Sequence, residues 1–176
     1  LYGFIASQVL FAGDELGVFD LLASSNPLTA LQISSALNTE PEATARFLVA
    51  ACAVGLIYRD PNGFQIADSV KPYLDRNALN YHGATFSHFR SRTWNAAASL
   101  CNTVRTGNPP WKGENSSGTS SPFVQLYANP EGARTFLRAM WDLGYVASQE
   151  LVRNFSLSGY HQLVDLGGGT GSFATA

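Results

Sequence analysis

The residues with the clearest capacity for chemistry lie near the end of the chain, at Asp165-Leu166-Gly167-Gly168-Gly169-Thr170-Gly171-Ser172. An acid is followed by glycines at every second position, Gly167, Gly169 and Gly171. Glycine lets the backbone take positive φ and lets a ligand approach where a Cβ would block it. The apolar run Leu163, Val164 and Leu166 predicts a buried strand over 162–166, with a helix starting after the turn. In open α/β sheets ligands bind beyond the carboxyl end of such a strand. A phosphate loop would need a lysine before its hydroxyl residue, and Thr170 and Ser172 have none. A dinucleotide fingerprint would need a third glycine or alanine where Ser172 stands. An acid followed by glycines suits a ligand without phosphate better than a basic loop would. A purely structural turn, with Asp165 capping the turn's own amides, is the remaining reading.

The elements that would position this turn follow from hydropathy and capping. Leu1, Ile5, Val9, Ala12 and Leu16 make one helical face. Phe4, Leu10 and Phe11 make the other side apolar too, so this helix must be buried under its own domain or against another chain. Gly17 is its stop, and Val18 to Leu22 resumes as a short amphipathic turn. Thr29 with Gln32 is a capping box, with Leu28 and Ile33 as hydrophobic staple. Thr39 with Glu42 predicts a second capped helix to about Val54, with Ala43, Phe47, Ala51 and Val54 inward. Two β-rich runs around Pro61-Asn62-Gly63 predict a hairpin. Two short helices and a hairpin make a winged helix-turn-helix. One long helix is expected over about 80–105, then a loop over 107–121. Ser121-Pro122 caps a short helix reaching Tyr127, and Asn129-Pro130 starts the next, with Phe136, Met140, Leu143, Ala147 and Leu151 along one face.

Charge and composition restrict the partners. The 176 residues carry a net charge of −2, with 45% hydrophobic and 14% charged residues, a globular composition. The second helix of the winged pair would offer DNA Glu40, Pro41 and Glu42, with Arg46 its one basic residue. Binding a duplex needs several phosphate-neutralising side chains. No apolar run approaches the roughly 20 residues of a membrane span. Cys52 and Cys101 lie far apart and read as buried small hydrophobes in a reducing, cytoplasmic setting. His82, His88 and His161 have no ligand-like spacing, so no metal is expected.

The order of parts resembles the small-molecule class I O-methyltransferase family, most of all its acetylserotonin O-methyltransferase-like members. The residues that carry the likeness are Ser7 to Phe11, Glu15 to Leu22, Thr93-Trp94-Asn95, Val104 to Gly107, and Asp165 to Gly171. The resemblance implies a mainly α chain: a winged-helix dimerisation domain over 1–105, a loop and linker helices over 106–160, and over 161–176 the first strand and glycine turn of a Rossmann-like α/β domain. It implies S-adenosyl-L-methionine as cofactor and the hydroxyl of a small aromatic molecule as methyl acceptor. Cofactor-facing positions would be Asp165, Gly167, Gly169, Gly171, Tyr127, Phe136 and Met140. The acceptor pocket would take Trp94, Phe136 and Met140. Gly144 falls where some relatives carry an aromatic residue that touches the cofactor. A homodimer held by the N-terminal domain is implied as well. The family's general base, a histidine, and the acid that holds the ribose would lie beyond Ala176. The chain is therefore expected to be the first part of a longer enzyme, and inactive alone. The alternatives are a non-catalytic dimerisation module and a winged-helix nucleic-acid binder.

Overall fold

The computed structural model describes residues 2–110 and 122–176. The chain is mainly helical and divides into two compact units, Leu1–Gly83 and Ala84–Ala176. The first residue of the expected N-terminal helix, most of the expected 107–121 loop and the Ser121 cap lie outside the described residues.

In the first unit, α1 (Gly3–Leu16) ends at Gly17, whose φ of 77° is the left-handed stop expected there. The chain turns at once into α2 (Val18–Ala23), which buries Val18, Phe19 and Leu22. The turn is tight because Gly13 has no side chain: a Cβ there would run into the Phe19 ring. Helix α3 (Ala30–Leu37) begins with the complete capping box, Thr29 and Gln32 each accepting from the other's backbone N–H. Helix α4 (Pro41–Ala53) departs from expectation. Its cap is Glu40, whose carboxylate accepts from the amides of Glu42 at 3.0 Å and Ala43 at 2.6 Å. Thr39 instead shares a hydrogen bond with the Thr44 hydroxyl. The buried stripe of α4 is Thr44, Leu48 and Ala51, shifted from the expected Ala43, Phe47 and Val54. The stripe is set by what packs against α4, and Ala51 is the one expected position that is fully buried.

The hairpin forms from β1 (Ile57–Asp60) and β2 (Gly63–Ile66), antiparallel, with Asp60 opposite Gly63. Asp60 holds the turn by accepting from the amides of Asn62 and Gly63. Leu28 adds a bridge to Phe64, with N–H···O bonds of 3.2 and 2.7 Å in both directions. That approach requires glycine at 63, where φ is 145° and a Cβ would sit 2.5 Å from the Leu28 carbonyl. Ile33, Leu48, Ala51 and Ile57, all at most 2% exposed, close the core of this unit. Full burial of each large side chain contributes about 1.5–3 kcal/mol.

After α5 (Lys71–Leu74), the segment 75–82 is tied back to α1 and α2 by polar contacts. Asp14 is only 9% exposed, and its Oδ1 accepts from the Tyr81 hydroxyl at 2.6 Å. Arg76 donates through Nη2 to the Asp14 carbonyl at 2.8 Å and through Nε to the Tyr81 oxygen at 3.2 Å. Its guanidinium also pairs with Asp20 at 3.1 Å. The half-exposed Arg76–Asp20 pair contributes little alone. The buried Asp14 carboxylate matters more, because losing its partner costs about 1–3 kcal/mol.

The second unit starts with α6 (Gly83–His88), which begins at the boundary between the units. The long helix expected over 80–105 is broken. A π turn spans Phe89–Thr93, where the Trp94 amide bonds to the Phe89 carbonyl five residues back. Helices α7 (Trp94–Ala98) and α8 (Leu100–Thr106) follow, and Gly107 closes α8 with a φ of 68°. Helix α9 (Pro122–Ala128) leads to α10 (Pro130–Asn154), a single helix of 25 residues. Asn129 caps α10 by accepting from Glu131 and Gly132. Its buried positions are Ala139, Asp142 and Ser148, while Leu143 and Leu151 of the expected stripe are exposed. Small residues let neighbours come close: the Thr85 hydroxyl donates to the Ala139 carbonyl at 3.3 Å.

The expected strand over 162–166 does not form. Those residues run without helix or strand, with Leu163, Val164 and Leu166 at 49, 69 and 91% exposure. A strand needs a partner for its ladder, and among the described residues none offers 162–166 an edge. Cys101 is exposed and Cys52 half-buried, so neither is the core residue expected.

Burial, and then its hydrogen bond to the Asp14 carboxylate, push the Tyr81 phenol up to about 12 from 10.0. The folded state therefore favours the protonated phenol. Its stabilisation is complete below pH 10 and is lost as pH rises through about 12. Denaturant titrations from pH 9 to 12 are expected to show the wild type losing stability more steeply than Tyr81→Phe. Parallel curves for the two proteins would refute this role.

Candidate functional site

The glycine turn is built as its spacing requires. Gly167, Gly169 and Gly171 have φ of 73, 54 and 72°, all left-handed. The Gly171 amide closes the turn on the Gly168 carbonyl at 2.8 Å. Asp165 folds its carboxylate over Gly168, where a Cβ would collide with it. At Gly167 and Gly171 a Cβ would meet nothing within 4 Å. At these two positions the backbone is open on the side a residue would otherwise fill.

Helix α11 (Ser172–Thr175) follows, and it rests on α10. The contact is at Gly144, where a Cβ would fall 3.3 Å from the Ser172 Cβ and closer still to its Oγ. A glycine at 144 is what lets the start of α11 sit there.

A second feature of this unit is a cavity of about 520 Å³. Phe136 of α10 and Phe123 and Leu126 of α9 form its apolar wall. His88, Ser91, Arg92 and Asn95 form the other side, from the end of α6 through the π turn to α7. The Phe136 ring lies 5.5 Å from the His88 ring and 6.1 Å from the Phe123 ring. Burial, and then the neighbouring Arg92 charge, hold the His88 imidazole below its ordinary 6.5, so it is neutral at pH 7. Two polar groups of the wall are already engaged: the Ser91 hydroxyl donates to the Ser87 carbonyl, and the Asn95 amide to the Ser91 carbonyl.

Helix α10 relates the two features. Phe136 is at the cavity and Gly144 at the turn, eight residues or about 12 Å apart along the axis. Met140, half-buried, lies midway. The stripe through all three drifts by about 80° around the helix. Of the residues singled out from sequence, Phe136 therefore lines the cavity, and Asp165, Gly167, Gly169 and Gly171 form the turn. Tyr127 is 51% exposed and stacks on Phe123 at 6.4 Å, outside the described lining. Trp94 is half-buried; its neighbours Thr93 and Asn95 face the cavity. His88, Arg92 and Phe123 were not picked out by sequence reasoning. A polar residue every third or fourth position, His88, Arg92 and Asn95, was the available signal.

The glycine turn, the helix beneath it and the two-unit division set the frame for comparison with known proteins. A family model for the O-methyltransferase dimerisation domain matches residues 1–73, and one for the O-methyltransferase domain matches residues 98–176. The chain belongs to the O-methyltransferase family. It is 27% identical over 179 residues to acetylserotonin O-methyltransferase of Bos taurus, covering 99% of this chain and 52% of that protein. It is 29% identical to the tetracenomycin polyketide synthesis 8-O-methyl transferase TcmO of Streptomyces glaucescens, covering 97% of this chain and 49% of that protein. Among solved structures, human N-acetylserotonin methyltransferase in complex with SAM superposes with a TM-score of 0.82 at 24% identity, over 99% of this chain and 52% of that one. The chain spans about half the length of the curated relatives it matches. S-adenosylmethionine is the cofactor of the family.

The Gly144 contact gives a direct test of how this O-methyltransferase chain holds its turn. An aromatic ring at 144 must displace Ser172. In Gly144→Phe the Gly171 and Thr175 amides are expected to exchange with solvent at least about tenfold faster, the equivalent of about 1.4 kcal/mol of lost protection. Unchanged exchange would show that the turn does not depend on α10.

Proposed function

We propose that this chain is the dimerisation part and the first cofactor-binding part of an S-adenosylmethionine-dependent O-methyltransferase that acts on the hydroxyl of a small aromatic molecule. The observation that carries the reading is one helix with the glycine turn at Gly144 and an aromatic-walled cavity at Phe136. When bound, S-adenosylmethionine supplies an electrophilic methyl carbon on a positively charged sulfur. The residues of this chain would hold and orient it. Gly167, Gly169 and Gly171 leave the backbone open for a bulky ligand. Asp165 places a carboxylate beside the turn, a suitable partner for the ligand's cationic groups. Met140, midway along α10, would stand between cofactor and acceptor, and Phe136 and Phe123 would wall the acceptor ring. Tyr127 and Trp94 would complete the surroundings of cofactor and acceptor. The general base, by resemblance to the family, is a histidine outside this chain.

The first unit serves assembly in this reading. We take the α3–α4 pair and its hairpin as a winged helix adapted to pairing subunits, within a domain running to about residue 105. Linker helices over 106–160 and the start of the cofactor domain over 161–176 follow. Arg46, the one basic residue of α4, is tied to Glu42 at 3.2 Å, and Glu40 spends its carboxylate on the helix start. A helix so arranged repels phosphate, which disfavours nucleic acid as partner. Tyr2, just before α1, and Phe4 and Ile5 in it are exposed at 75, 57 and 43%. A second copy of the chain would cover them. Among the described residues no helix is long and apolar enough to cross a membrane. The free thiols of Cys52 and Cys101 suit a reducing, cytoplasmic setting.

Calorimetric titration of S-adenosylmethionine into the full-length gene product that carries this chain is expected to show one site per subunit. Gly169→Val should weaken it by about tenfold or more, since valine strains a left-handed residue and fills the turn. Absence of binding by the unaltered protein would overturn the enzyme reading. Light scattering is expected to give twice the monomer mass, and Ile5→Glu should lower it toward the monomer, because a charge buried at an interface is costly. A wild type that stays monomeric at high concentration would rule out the dimer.

A further inference from the structure

The cavity is polarised in a way that a neutral aromatic alcohol does not need. Its apolar side is aromatic, Phe123 and Phe136 with rings 6.1 Å apart at 64°. Its other side carries one permanent cation, Arg92, and no acid among the described lining residues. The guanidinium forms no hydrogen bond or ion pair among the described residues. None of the described groups around it carries a negative charge to balance it. Ser91 and Asn95 are engaged with backbone carbonyls one helical turn back. His88 is adjacent, feels the Arg92 charge and is neutral. The π turn over Phe89–Thr93 is the second observation. Such turns are rare, cost regular hydrogen bonding and recur at functional sites. Here it begins directly after His88 and contains Arg92, and both residues line the same cavity.

Resting on the methyltransferase reading above, we propose that this cavity selects a planar aromatic acceptor that carries a carboxylate, with the carboxylate held by Arg92 and the ring set against Phe123 and Phe136. A guanidinium offers parallel N–H donors that match the two oxygens of a carboxylate. One cation balances a monoanion, whereas a phosphate dianion would be left half neutralised. Neutral His88 supplies one donor and one acceptor beside that anchor without adding a second charge. A volume of about 520 Å³ holds a fused two-ring acid with room to spare, within the usual range of small-molecule sites. Arg92 is an anchoring and specificity-determining residue in this scheme; it takes no part in proton transfer.

The test uses the full 176-residue chain and two probes of nearly equal shape, 2-naphthoate and 2-naphthamide, titrated by ligand-observed NMR at low salt without methyl donor. The carboxylate is expected to bind at least about tenfold more tightly than the amide, since hydrogen bonds to charged groups are worth about 1.5–3 kcal/mol. Arg92→Leu should bring the two probes within about twofold of each other, and Arg92→Lys should keep part of the difference. Raising the salt should shrink the wild-type preference. Arg92 is exposed, so circular dichroism is expected to show the variants folded. Equal binding of both probes, binding of neither, or a preference that survives Arg92→Leu would overturn the proposal. Failure of S-adenosylmethionine binding with this preference intact would overturn only the methyltransferase reading. The reverse outcome would overturn only the carboxylate anchor.

Discussion

The close approach at Gly144 is the contact on which the arrangement of the second unit depends. A turn with three left-handed glycines has almost no side-chain surface with which to hold itself in place. It gains position only by leaning on something rigid, and here that is α10, through Ser172. The rigidity of α10 comes from its length of 25 residues and from the Asn129 cap that satisfies its first amides. The same helix fixes Phe136 in the cavity wall. Spacing between the two features is then set by helical rise, which is stiff, and not by a loop. For a reaction between two bound molecules that is the useful kind of constraint, since an ångström of misplacement is costly.

How legible this was in the sequence depended on the range of the interaction involved. Local chemistry read well. The Thr29–Gln32 capping box, the Gly17 stop, the hairpin and the Asn129-Pro130 start all depend on residues within a few positions of each other. Helical phase read less well. Any amphipathic helix offers several plausible stripes, and neighbours choose among them. In α10 the choice fell on Ala139 and Ser148, where a neighbour can come close, over the larger Leu143 and Leu151. Long-range contacts did not read at all. Nothing near Asp14 announces that its carboxylate is satisfied by Tyr81, 67 residues away. The π turn was equally hidden, because it spends regular hydrogen bonds for a side-chain placement that only tertiary structure reveals.

The 162–166 segment shows a different limit. Its residues have strand character by any local measure, yet Leu166 is 91% exposed and no ladder forms. A β-strand is a property of pairing, and propensity only says which face would suit it. The glycine turn behind it does not share that dependence. Its left-handed residues close locally, through the Gly171–Gly168 hydrogen bond, and dock on α10. That is why the turn is formed here while the strand that precedes it in the expected fold is not.

The first unit divides its labour along a similar line. Its interior is closed by local packing and by one buried acid, so Asp14 must keep its phenol partner for α1 to stay against the 75–82 segment. Outside, the start of α1 presents Phe4 and Ile5, with Tyr2 just before it. A helix end that is apolar on its solvent side gains nothing for the isolated unit, since burial is the only source of its free energy. Its inner side is already committed to Val9, Phe11 and the Asp14 network. The outer side is free to be buried by a second chain without disturbing the inner one. Stability of the unit is thereby carried by the inner residues of α1, and the outer ones can be changed without touching them.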